Sequence, residues 1–256
     1  MILPSMTNTE ICDALFADRP KLQIQAKMHV SRIAKQFKKD NKFPAWKWEE
    51  YTHQGSHNRY LITYYAPTLD RADDPSVKYL AFLEEAHQKI VIECGHWPYR
   101  RYGTLNIQKI RAISYYCPHF FQRYRERVLN NKKISYNDLL CRYFWRNQVN
   151  IPIEMNEKIQ RKYKEYGDIG AVSFQQPEGI CFIQHWCEGD ELSIGSDHED
   201  YLAVVNYLTI VTDSMMSDIQ KEAIGEEGKK YMHNYLKRLM DDVLNTPFFR
   251  HLINEH

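Results

Sequence analysis

The chain has 256 residues, 43% hydrophobic and 26% charged, a composition of soluble globular proteins long enough to bury a core without disulfides or metal. No window approaches the ~18 apolar residues of a membrane span, and "MILPSMTNTEICDALFADRP" lacks a basic region ahead of an apolar run, so neither a membrane partner nor a secretory signal is expected. The net charge of +1 conceals an asymmetry: residues 1–150 carry 24 Lys and Arg against 14 Asp and Glu, and residues 151–256 carry 10 against 19.

Residues 1–18 show no clear period and read as a loosely held arm. "KLQIQAKMHVSRIAKQFKK" (21–39) is a helix, with Ile24, Met28, Ile33 and Phe37 near the helical period. "NKFPAWKW" breaks it. "RYLITYYAP" (59–67) alternates and is rich in β-branched and aromatic residues, which predicts a strand. "VKYLAFLEEAHQ" fits a short helix or a strand extension, "KIVIECG" (89–95) a strand, "HWPYRRYGTL" a loop or bent strand, and "QKIRAISYY" (108–116) another strand.

Pro118 suits the first turn of a helix running to about Leu129. Ser135, with Asp138 three residues on, opens a second helix, "SYNDLLCRYFWRN". A polar helix, "NEKIQRKYKEYG", follows. "GAVSFQQPEG" and "ICFIQHW" form a hairpin through Pro177 and Gly179, and "YLAVVNYLTIVT" makes one long strand or two short ones. "DSMMSDIQKEAI" is a helix capped by Asp213 or Ser214, and the amphipathic "KKYMHNYLKRLMDDVL" closes the chain.

This order predicts an α+β fold: a largely antiparallel sheet with flanking helices and an N-terminal helical extension. The expected divisions are 1–58 (N-terminal helical region), 59–220 (α+β core with a basic helix pair at 117–147) and 221–256 (C-terminal helix), compatible with one domain. The six cysteines, Cys12, Cys94, Cys117, Cys141, Cys181 and Cys187, form no Cys-x-x-Cys pair, which points to free thiols and a cytoplasmic setting.

The densest chemistry lies in "CPHFFQRYRERV" (117–128), where His119, Arg123 and Arg127 recur every four residues along one helical stripe. Arg142 and Arg146 repeat the spacing on the next helix. Within 100–146 there are 11 basic residues and two acids, and arginine, which dominates, suits bidentate phosphate contact. If the two helices pack through their aromatics, four guanidinium groups and an imidazole converge, stabilising charge on a phosphodiester while His119 transfers protons. Arg111, Tyr124 and Tyr143 extend this surface, with aromatic rings beside positive charge as single-stranded RNA requires. The competing readings are a solvated basic helix, nucleic-acid binding without chemistry, and docking against the acidic half of the same protein or of a second copy.

The pattern His119-x-x-x-Arg123-x-x-x-Arg127, the helix opening at "ISYND" and the strand ending in "TIVT" resemble the small RelE/barnase-like ribonucleases of toxin type over residues ~100–220. The resemblance implies a helix pair against an antiparallel sheet and metal-free cleavage with the 2′-hydroxyl as internal nucleophile. It implicates His119, Arg123 and Arg127, together with Thr209 or Thr212. The acidic sheet half departs from that pattern.

Other chemistries lack their signatures. "HQGSH" (53–57) and the His185, Cys187, Glu188, Asp190, Asp197, His198, Asp200 cluster have neither zinc pairs nor a calcium-loop pattern, so an acidic solvated loop is expected there. His185 is a candidate second imidazole beside His119. No phosphate loop or nucleophile elbow occurs, and Cys117 is set around the helix from His119. The expected function is therefore a metal-independent, cofactor-free ribonuclease-like activity on RNA, with His119, Arg123 and Arg127 as its catalytic residues. The alternative is a non-catalytic nucleic-acid-binding or protein-interaction protein using the same surface, with RNA, an acidic protein or a second copy as partner.

Overall fold

Thr7 opens the first helix, α1 (Asn8–Asp40), through a capping box in which Thr7 and Glu10 satisfy each other's backbone N–H groups. The computed structural model describes residues 1–85, 88–100, 107–130, 133–160, 172–195 and 200–244. The start of α1 corrects the expected loose arm: residues 8–18 are helical, and Ile2 is buried. The buried face is also shifted. Ile11, Leu22 and Ile33 form one row and Leu15, Ala26 and Phe37 another, each row spaced by 11 residues, or three helical turns. Ile24 and Met28, expected in the core, are 60% and 70% exposed.

The strands are β1 (Ala45–Thr52), β2 (Arg59–Ala66), β3 (Ser76–Glu85), β4 (Gln88–Arg100), β5 (Ile107–Tyr116), β6 (Ile151–Glu154), β7 (Val172–Gln176), β8 (Gly179–Glu188) and β9 (Leu202–Val211). They form one nine-stranded sheet in the order β1-β2-β3-β4-β5-β9-β8-β7-β6. Two antiparallel meanders meet where β5 runs parallel to β9, and every other pairing is antiparallel. The α+β class is therefore as the sequence predicts. The ambiguous "VKYLAFLEEAHQ" stretch is strand over the described Ser76–Glu85, "HWPYR" continues β4 as a strand, and "LAVVNYLTIV" is a single strand with a bulge opposite Phe182/Ile183. At the β7–β8 turn, Gly179 has φ +153°, and a Cβ there would run into the Val211 carbonyl, so the hairpin needs glycine.

Two strands lie beyond those the sequence predicts. β1 forms from "AWKWEEYT" and pairs with β2 along its length, so the division at 58/59 falls in the turn between two paired strands. β6 forms from "IPIE". The remaining helices are α2 (Pro118–Tyr124), α3 (Tyr136–Arg146), α4 (Glu157–Gln160) and α5 (Asp218–Leu244). α5 starts after the expected Asp213 or Ser214 cap, and it runs unbroken through the division expected at 221. Beyond Gln160, the expected polar helix lies outside the described residues. None of the described helices is long and apolar enough to cross a membrane.

α1 crosses one face of the sheet from β8 to β1. Asn8 bonds Glu188 and Tyr115, Asp18 accepts from Tyr60, and His29 meets Glu49. Its apolar rows pack on Ile62, Tyr64, Ile92, Ile113 and Val204. Alternation along β8 places Ile180 and Phe182 on this same face, where they pack with Val211, Ala223 and Ile224 under α5. The opposite face holds the aromatic core, in which α2 and α3 bury Phe120, Phe121, Tyr124, Tyr143 and Phe144 on Tyr116 and Tyr207. Tyr116 and Tyr207 stack at 4.1 Å across the parallel pair.

Candidate functional site

α2 begins as the sequence predicts, with Pro118 in its first turn, and it leaves His119 exposed. Arg123 Nε donates to His119 Nε2 at 3.3 Å, which fixes Nε2 as an acceptor, so the neutral ring carries its proton on Nδ1. Arg123 also pairs with Glu126 at 3.0 Å. The stripe then ends, because residues Arg125–Leu129 form a π turn. Widening the helix there swings Arg127 away from the four-residue register. Arg127 Nη1 instead donates to the Ile210 carbonyl at 2.8 Å and to Thr209 Oγ1 at 3.1 Å. Thr209 is thus joined to Arg127, whereas the Thr212 hydroxyl pairs with Ser214.

α3 carries Arg142 and Arg146 to a different focus, Glu178 in the β7–β8 turn. Arg142 Nη2 lies 3.4 Å and Arg146 Nε 3.7 Å from Glu178 Oε1. The other carboxylate oxygen accepts from the Tyr124 hydroxyl and, at 3.0 Å, from Asn147 Nδ2. Burial first, and the Glu178 carboxylate second, raise the Tyr124 phenol far above its ordinary range. The structure therefore sorts the five residues into a His119–Arg123 pair, an Arg127 strut and an Arg142–Arg146–Glu178 group, rather than one convergent clamp.

The remaining expected contacts lie elsewhere. Tyr124 and Tyr143 are 0% and 1% exposed, so their rings are core and offer no face to a base. Tyr143 spends its hydroxyl on Gln176. Arg111 sits on the opposite face of the sheet, paired with Asp13 of α1. His185 stacks on Trp97 at 6.2 Å, and burial lowers its pKa. No contact joins it to His119 among the described residues. No cluster of three metal-ligating side chains occurs among the described residues; Asp197 and His198 lie outside them.

Two features depart from the sequence reading, the first at "HQGSH", expected as a solvated loop but with His53 buried. The "HQGSH" stretch supplies a buried polar cluster: Asp18 accepts from Ser56 Oγ at 2.5 Å, Tyr60 at 2.7 Å and Asn58 Nδ2 at 2.8 Å, with His53 Nδ1 at 3.3 Å. Ser56 and Asp18 both crowd Nδ1, while the buried Nε2 has no partner, so the trio lacks the relay order of a hydrolase triad. The second feature is a crevice of about 410 Å³ between the N-terminus of α1 and the sheet, with Tyr115, Trp186 and Asn206 among its lining residues. Neither is marked locally, since their parts are separated by tens to nearly two hundred residues.

No known protein family, curated protein or solved structure matches the chain.

Proposed function

We propose that the chain is a non-catalytic binding protein whose α2–α3 ridge docks the phosphate backbone of RNA. The observation that carries this reading is the convergence of Arg142 and Arg146 on a single carboxylate, Glu178. Two guanidinium groups aimed at one anion form a site of the kind phosphates occupy, and Glu178 holds that place from within. Arg123 and Arg146, with side chains 35% and 49% exposed, add accessible positive charge. The burial of Tyr124 and Tyr143 supports backbone contact over base stacking.

Binding of this kind is read in its salt dependence. A fluorescent single-stranded RNA titrated at rising salt should lose affinity log-linearly. Replacing Arg123 and Arg146 together by Glu should flatten that slope by roughly 1.4, about 0.7 for each phosphate left unneutralised. A double variant with wild-type affinity and slope sinks the reading.

The second reading, metal-independent RNA cleavage, rests on His119, exposed and 3.3 Å from Arg123. It is supported by the exposure of the imidazole beside a guanidinium that could neutralise a phosphodiester. RNA cleavage in chelator that disappears in His119→Ala, with binding retained, would establish this reading over the first.

A further inference from the structure

We propose that the crevice at the N-terminus of α1 is a binding site for an organic cation: a protonated amine carried on an aromatic or aliphatic body. This site lies on the sheet face opposite α2 and α3 and stands apart from the ridge.

The crevice exists because of the topology. The two meanders meet at the β5–β9 parallel pair, with α1 covering one half of this face and α5 the other. Between them, near the C-terminal end of β5 and the middle of β9, the floor is left open. Its volume of about 410 Å³ is that of a small-molecule site.

The walls are built rather than incidental. The Asn8 carboxamide is held at both ends, donating to Glu188 Oε1 at 2.7 Å and accepting from the Tyr115 hydroxyl at 2.6 Å. Glu188 Oε1 also takes the indole N–H of Trp186 at 2.8 Å, which holds the ring in place while leaving it 36% exposed. Asn206 lines the crevice, and its carboxamide makes no hydrogen bond among the described residues. It is a polar group on β9 available to a ligand.

Charge decides the ligand class. The lining contains Glu85 and no Lys, Arg or His, and Glu188 stands behind Asn8 and Trp186. Glu85 has no ion-pair partner among the described residues. The α1 N-terminus would favour an anion by its dipole, but Glu10 already answers it, accepting from the Thr7 backbone N–H at 2.7 Å. What remains is a carboxylate at the rim of an aromatic and aliphatic pocket. This suits an ammonium group beside Glu85 with its apolar body packed on the half-exposed Trp186 ring.

The test uses three near-isosteric probes on the full chain by titration calorimetry: phenethylamine (cation), phenethyl alcohol (neutral) and hydrocinnamate (anion). The amine should bind one to one, and the other two should bind at least about tenfold more weakly. Glu85→Gln, at an exposed position, should weaken the amine by a similar factor, and Asn206→Leu should weaken it independently of Glu85. Circular dichroism identical to wild type certifies that both variants are folded. Equal binding of amine and alcohol, preference for the anion, amine binding indifferent to both variants, or no amine binding at millimolar concentration would each overturn the proposal.

Discussion

Arg127 reaches across from the π turn to the backbone of β9, where its Nη1 lies 2.8 Å from the carbonyl oxygen of Ile210. The third residue of the His119–Arg123–Arg127 series is therefore a strut between helix and sheet. Replacing Arg127 by Ala removes a charged donor from a part-buried carbonyl and from Thr209, at a cost of about 1.5–3 kcal/mol. The urea midpoint should fall with the slope unchanged, while RNA affinity should change less than in Arg123→Ala. A midpoint equal to wild type would show that the strut contributes nothing.

Glu178 makes a sharper case because its two roles oppose each other. Its side chain is 12% exposed and serves Arg142, Arg146, Tyr124 and Asn147 together. Glu178→Ala leaves a buried phenol and two part-exposed guanidinium groups without their acceptor, a loss of about 1–3 kcal/mol. Glu178→Gln keeps an acceptor and should cost less. In the same variants, an RNA phosphate no longer competes with an internal carboxylate, so affinity should rise while stability falls. Denaturant unfolding and RNA titration of Glu178→Gln read both signs, and a parallel fall in the two would dismiss Glu178 as an internal competitor.

Most elements are legible where periodicity is strong and local. β2, β5, the β7–β8 hairpin and α3 follow from alternation, turn residues and the Ser135 cap. The buried face of α1 is harder to read because its 11-residue rows begin at Ile11, inside a stretch whose helical start is marked mainly by Thr7 and Glu10. β1 is hidden by "WKWEEY", whose six residues are only partly buried or exposed. The site is less legible for a physical reason. Four-residue spacing predicts a stripe only while the helix stays α, and the π turn at Arg125–Leu129 has no marker in "RERVL". Likewise Tyr124 and Tyr143 have the composition of a stacking platform. Only the packing of α2 and α3 on Tyr116 and Tyr207 reveals that their rings fill the core.

Asp18, a buried carboxylate, contributes to the acid limb of stability. Burial opposes its ionisation, but hydrogen bonds from Ser56, Tyr60 and Asn58 together outweigh that and lower its pKa. A carboxylate with a depressed folded-state pKa contributes stability that is present above its unfolded value of about 3.9, lost as the pH falls through the folded value. Asp18→Asn should remove this part of the acid slope and lower neutral-pH stability by about 2–4 kcal/mol, since several buried donors lose a charged acceptor. Thermal unfolding of both proteins from neutral pH down to pH 3 measures it. An unchanged difference between them across that range would assign the acid transition to other carboxylates.

The buried tyrosines contribute to the alkaline limb. Burial drives the phenols of Tyr60, Tyr116, Tyr124, Tyr143 and Tyr207 far above their ordinary range, and it pushes Tyr64 and Tyr136 up to about 12. Above pH 10 the unfolded chain releases these protons and the folded chain retains them, so the folded state binds more protons and stability falls as the pH rises. Each such tyrosine steepens the fall by up to ~1.4 kcal/mol per pH unit once its unfolded form is ionised. Tyrosinate absorbance during an alkaline titration should therefore appear in two parts. The buried phenols should supply the later part, ionising in a single step coincident with loss of the circular dichroism signal. Because Tyr116 and Tyr207 stack across the β5–β9 junction, their ionisation should report on opening of the seam that joins the two meanders. A gradual ionisation of every tyrosine near pH 10, ahead of unfolding, would contradict the aromatic core.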